Sequence, residues 1–173
     1  SGVREVAIPD QVETIQRYAF CSCKDLKCVI FGKRSRLTRI ELCAFGGSGL
    51  ESFTAPAPLR VVSQSAFYAC KKLRWARLNR GLEALGTEER PEAADEVYFG
   101  VFEASALEKV RLPSTLKKVE YRAFFECKSL EGLTFPDGLE KIGMMCFSKS
   151  GLKKIAIPSG VTEIPLNAFY ECG

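Results

Sequence analysis

The sequence predicts a repeat solenoid, and three observations carry that expectation. Seven apolar-Phe pairs recur along the chain, ending at Phe20, Phe45, Phe67, Phe102, Phe124, Phe147 and Phe169. Their spacings of 25, 22, 35, 22, 23 and 22 residues centre on a unit of about 22–23. The residues between them follow one pattern, L-x-x-(V/I)-x-(I/L/F)-P-x-x-(L/V)-x-x-(I/V)-x-x-x-A-F, clearest in LEKVRLPSTLKKVEYRAF (107–124) and LKKIAIPSGVTEIPLNAF (152–169). A fixed period of this length marks one supersecondary unit stacked on copies of itself, because a lone unit cannot bury its own faces.

Each part of the unit has a physical role. The alternating end of L-x-x-V-x-I fits a short half-buried strand. The proline that follows (Pro9, Pro113, Pro136, Pro158) lacks a donor N–H, so it ends the ladder and turns the chain. A second apolar pair, such as Val12 with Ile15 or Leu116 with Val119, closes the coil from the opposite side. The Ala-Phe pair fills the interior, alanine admitting close backbone approach. The corner after each Phe has two lengths in strict alternation. FCSC, FYAC, FFEC and FYEC end on Cys23, Cys70, Cys127 and Cys172, whereas FGGSGL, FEASAL and FSKSGL carry Ser48, Ser105 and Ser150.

This pattern resembles the leucine-rich repeats of the BspA-like family, whose units read IPxxVxxIxxxAFxxCxxL. The resemblance spans essentially the whole chain, with repeat 4 interrupted. It implies a right-handed leucine-rich-repeat coil with a parallel β-sheet on one face and short strands or helical turns on the other. It also implies a scaffold or adhesin-type interaction module, since many members are surface proteins of bacteria and parasitic protists.

Composition agrees with one domain over residues 1–173. The chain is 46% hydrophobic and 27% charged, so disorder is not the expectation. No run approaches the roughly 20 apolar residues that span a bilayer. The opening SGVREVAIPD has no basic segment followed by an apolar run, so no signal peptide is expected within it. Histidine is absent, which removes every histidine-dependent triad, relay or zinc site. No catalytic, metal or cofactor site is expected.

The eight cysteines follow the repeat rather than a disulfide framework. Coils stack about 4.8 Å apart, so cysteines two coils apart lie roughly 10 Å from each other, beyond the ~7 Å that a disulfide bridges. Cys23, Cys70, Cys127 and Cys172 are expected to be buried corner fillers, and Cys146 core in place of an alanine. Cys28 falls at a solvent-facing strand position. The Cys-Ser-Cys of 21–23 lacks the further ligands a zinc site needs. Free thiols lean toward a reducing intracellular or organellar compartment, while the family resemblance alone allows the cell surface.

The two positions before each strand valine, and the one after it, are expected to face solvent. Among them Arg74, Trp75 and Arg77 adjoin Lys109 and Arg111, with Trp75 and Arg77 on the same rungs as Lys109 and Arg111. The sole tryptophan ringed by cations has the composition of a binding hot spot, and this face is the expected protein-binding site. The blander reading has Trp75 covering a gap left by the small Ala76. A secondary basic patch, Lys33, Arg34, Arg36 and Arg39, is expected in the turn of repeat 2, with possible contact to an anionic surface. Nucleic-acid binding is not expected, because no stacking aromatics accompany this cluster. Residues 1–82 carry a net +8 and residues 83–97 a net −5, the latter from an acidic insertion near 86–97 in repeat 4.

Neither end carries a capping segment, so a fragment of a longer solenoid or a partner-capped subunit is expected. The expected function is a non-catalytic protein–protein interaction module binding through its sheet face. The alternative is a structural accessory subunit of a stable multi-protein assembly. A thiol enzyme built on Cys127 or Cys28 fails, because a reactive thiol needs a lowered pKa and access.

Overall fold

The computed structural model describes residues 2–86 and 98–173. The chain winds through about six turns as a parallel-strand solenoid. Each early turn contributes two short strands: β1 (Glu5–Ile8) and β2 (Thr14–Ile15), β3 (Cys28–Phe31) and β4 (Arg39–Ile40), β5 (Ser52–Thr54) and β6 (Val61–Val62). Next come β7 (Trp75–Arg77) and β8 (Ala84–Leu85), β9 (Lys109–Arg111) and β10 (Lys118–Val119), and finally β11 (Lys141–Ile142). No helix occurs among the described residues.

Two parallel ladders result. The first, built from the L-x-x-V-x-I segments, pairs β1 with β3 and joins β5, β7 and β9. A bridge between Gly132 and Lys154 continues it. The second, built from the second apolar pairs, runs β2–β4–β6 and β8–β10–β11. Register is held by the hydrophobic pattern, since a one-residue slip would turn each core side chain outward. Thus Phe53 opposes Ala76, which opposes Val110, and Ile15, Ile40 and Val62 line up in the second ladder.

Between the ladders runs a column of seven phenylalanines. Successive rings from Phe20 to Phe169 stack with centroids 5.2–5.7 Å apart and planes within 12° of parallel. Five of them, Phe45, Phe67, Phe102, Phe124 and Phe147, are fully buried. Offset-stacked rings at such distances add to the large apolar area each one buries.

The segment around each Phe is a run of tight turns, where helical turns were one of two expectations. Residues two before and two after the Phe adopt left-handed backbone without being glycine, as at Tyr18 and Ser22, Arg122 and Glu126, and Met145 and Lys149, all with φ between 53° and 60°. Alternate N–H groups then bond within the turn and to the next coil. Cys21 donates to Tyr18 O and Cys23 to Phe20 O, while Phe20 donates to Ala44 O at 2.7 Å and Ser22 to Gly46 O at 2.7 Å. The inter-coil bonds offset a backbone cost of about 1–2 kcal/mol per left-handed residue.

The alternating corners fit one another. After Phe, the longer Cys-x-x-Leu corner packs on the shorter Ser-x-Leu corner of the next coil, and in the two seams where x is glycine the lysine carbonyl closes onto it. A Cβ on Gly49 would lie 2.0 Å from Lys24 O, and one on Gly151 2.2 Å from Lys128 O. In the opposite direction serine meets cysteine: Ser48 Oγ is 3.5 Å from Cys70 Sγ, Ser105 Oγ 3.6 Å from Cys127 Sγ, and Ser150 Oγ 3.6 Å from Cys172 Sγ. Each of these thiols donates to the carbonyl of the column Phe in the previous coil, Cys70 to Phe45, Cys127 to Phe102 and Cys172 to Phe147, 3.0–3.1 Å away.

Candidate interaction surface

The strand alternation that buries Val, Phe and Ala also sets the chemistry of the outer sheet face. Of the positions expected to face solvent, only Cys28 is half-buried, its Sγ donating to Glu5 Oε2 at 3.3 Å. The first of these positions carries a charge in every coil, and each of its three acids has a basic partner in an adjacent coil. Lys27 pairs with Glu51 at 3.3 Å, Arg74 with Glu108 at 3.1 Å, and Lys153 with Glu131 at 2.8 Å. Exposed pairs of this kind contribute about 0–1 kcal/mol each, but they neutralise the acids of this row.

The next two positions are different. Trp75 lies opposite Lys109, and Arg77 opposite Arg111, in the β7–β9 register. Trp75 is 38% exposed. Ala76 is fully buried on the other side of the strand, so the indole cannot fill the space beside it. Phe53, the register partner of Ala76, is the bulky neighbour there, its ring 4.7 Å from that of Phe67. The side chains of Arg77, Lys109 and Arg111 have no acidic or hydrogen-bonding partner among the described residues, and neither does that of Arg80 just beyond β7. These four cations and Trp75 line a groove of about 1040 Å³ whose apolar wall includes Leu112, Leu133 and Phe135. Arg80 lies outside the strand positions that the repeat pattern picks out. Arg74 belongs with the neutralised row.

The secondary basic patch divides. Lys33, Arg34 and Arg36 are exposed in the turn after β3. Arg39 does not share that turn: it lies in β4, paired in register with Thr14 and Val61, and its Nε is 3.8 Å from Glu41. Leu37 and Ile40, both fully buried, are the second apolar pair of this unit and place Arg39 in the ladder. The acidic insertion falls, apart from Gly86, outside the described residues.

The thiols are mostly shielded. Cys70, Cys127 and Cys146 are fully buried. Burial pushes Cys70 up to about 11 and Cys127 up to about 12, against the lowering effect of Ser48 and Ser105; burial also raises Cys146 well above the ordinary value. Cys23 and Cys172, expected to be buried, are half-buried, because in the first and last units only one neighbouring coil covers them. The repeat pattern gave no hint that Cys21 and Cys43 meet, with Sγ atoms 3.8 Å apart. Burial, then the Cys21 neighbour, pushes Cys43 up to about 12.

One buried charge stands apart. Glu103, 3% exposed, accepts from the Gly100 N–H at 2.8 Å and from Arg122 Nη2 at 2.7 Å. The Arg122 guanidinium lies 3.9 Å from the Phe125 ring centroid. Burial pushes the Glu103 carboxyl up to about 7, with Gly100 and Arg122 opposing and Glu126 adding to the rise.

The BspA type leucine rich repeat region model matches residues 1–89 and 95–173 in 6 copies. A leucine-rich repeat protein from Bacteroides ovatus superposes with a TM-score of 0.68 at 26% identity, over 92% of this chain and 44% of that one. A leucine-rich repeat protein from Eubacterium ventriosum gives 0.61 at 22%, over 92% and 46%. A leucine rich cell surface protein from Faecalibacterium prausnitzii gives 0.57 at 24%, over 97% and 45%. The last two likenesses show the fold alone. The chain spans less than half the length of each of these three structures. No curated protein matches it, and no helix among the described residues is long and apolar enough to cross a membrane.

Proposed function

Because the chain belongs to the BspA-type leucine-rich repeat family, we propose that it is a non-catalytic protein–protein interaction module that binds through the outer sheet face around Trp75. The observation that carries this reading is the exposed indole in register with unpaired Lys109, beside the unpaired Arg77–Arg111 rung, on the rim of a 1040 Å³ groove. Exposed aromatics and arginines are the residues that dominate interface energetics. Strands paired on both sides form a rigid platform, so little order is lost when a partner docks. The test is affinity capture with the full-length protein, followed by mass spectrometry. Trp75→Ala combined with Arg77→Glu should abolish capture of the wild-type partner. Unchanged capture would place the site elsewhere.

A further inference from the structure

We propose that the groove beside Trp75 takes an acidic segment of a partner protein, with carboxylates held by Arg77, Arg80, Lys109 and Arg111. This rests on the sheet face being the binding surface and adds the chemistry of what binds there.

The charge distribution of the face is the first argument. Its outermost row is internally neutralised, Lys27 with Glu51, Arg74 with Glu108 and Lys153 with Glu131. No acid lines the groove, and its four cations lack partners among the described residues. The second argument is repulsion. Arg77 and Arg111 occupy one rung of a parallel ladder, where strands are spaced about 4.8 Å apart. Like charges directly opposite destabilise a sheet, and a bound carboxylate removes that penalty. Guanidinium forks match carboxylate geometry with two parallel hydrogen bonds. Third, the basic character is local. The adjoining groove of about 720 Å³, over the following two coils, is lined by Glu131 and Asp137 as well as Lys154.

The apolar wall decides between anionic partners. Leu112, Leu133 and Phe135 lie beside the cations, which suits a peptide whose acidic residues are interspersed with apolar ones. A sulfated glycan or a phosphate backbone would leave that wall uncovered.

The single tryptophan supplies the readout, since Trp75 emission reports occupancy of the groove directly. The probe is a synthetic peptide repeating Glu-Glu-Leu; the comparison ligands are a Lys-Lys-Leu repeat and a heparin oligosaccharide. The Glu-Glu-Leu peptide should shift Trp75 emission saturably, with affinity falling steeply as salt is added. Arg77→Ala with Arg111→Ala should weaken it roughly tenfold or more, the loss expected for charge-assisted hydrogen bonds. Arg34→Ala with Arg36→Ala should leave it unchanged. No shift with the acidic peptide, an equal shift in the Arg77/Arg111 variant, or binding of heparin alone would each overturn the proposal. If the peptide fails while Trp75→Ala still abolishes partner capture, the sheet-face reading stands and only the acidic partner is wrong. If the peptide binds while capture ignores Trp75→Ala, the sheet-face reading falls.

Discussion

Phe67 and Phe102 stack with centroids 5.2 Å apart, although the chain between them is longer than between any other consecutive pair of the column. The strands agree: β7 joins β9 and β8 joins β10 in the same parallel register used elsewhere. The ring column and the two ladders therefore set the coil pitch, and extra chain length does not.

Truncating the column at its centre should be costly. Phe102→Ala removes a fully buried ring stacked on both sides, at 5.2 Å from Phe67 and 5.7 Å from Phe124. The expected loss is about 3–5 kcal/mol in urea unfolding. A loss below about 1 kcal/mol would mean that neighbouring coils close over the gap.

Backbone strain should be recoverable. Ala69 sits at φ 53° and Gly47, two residues after its own Phe, at φ 64°. Ala69→Gly should stabilise by roughly 0.5–1 kcal/mol, the left-handed penalty less the entropy of the freed chain. Gly47→Ala should destabilise by about 1 kcal/mol through conformation alone, because the nearest atom to its added Cβ is 3.6 Å away. Thermal denaturation of both variants checks the opposite signs.

Glu103 should leave a mark on stability against pH. Its carboxyl is raised from 4.5 to about 7, so the folded chain binds the extra proton between those values. Its stabilising contribution is complete below pH 4.5 and declines as pH rises through 7. Relative to Glu103→Gln, the wild type should lose on the order of 2–3 kcal/mol across that window. Parallel stability curves for the two proteins would show that Glu103 and Arg122 stay ionised together.

Thiol labelling of the native protein should sort the cysteines by cover. Cys70, Cys127 and Cys146 are fully buried and their thiols are pushed up, so they should react only on unfolding. Cys21 and Cys28, both partly exposed, should react within the native state. Peptide mapping after timed alkylation distinguishes them, and early labelling of Cys127 would contradict its burial.

The repeat and the outward-facing positions were legible because a two-residue period writes itself into any strand with one buried face. The register of Trp75 on Lys109 followed from that alone. Arg39 was misplaced because the run of cations hid the Leu37-x-x-Ile40 spacing, which repeats Val12-x-x-Ile15. The left-handed positions were illegible for a different reason. Tyr18, Cys43, Arg122 and Met145 have no shared propensity for that conformation, which contacts between coils impose on them. Likewise Cys21 follows its Phe and Cys43 precedes its own, so only the turn geometry reveals that their sulfurs meet. Arg80 joins the groove from beyond the strand, where the two-residue period no longer points.

The paired corners give the molecule a parity. Each Cys-x-x-Leu corner that is followed by another coil meets a Ser-x-Leu corner there, where the N–H of Gly49, Ala106 or Gly151 donates to the cysteine carbonyl. Removing residues 103–124, a single unit, would set the corner of Cys127 against that of Cys70, two long corners and two thiols with no intervening serine. Removing residues 103–147 would bring Ser150 there instead and restore the match. Such a protein can lengthen or shorten by even numbers of units and keep its seams. Odd steps break them, so its natural quantum of growth is the pair.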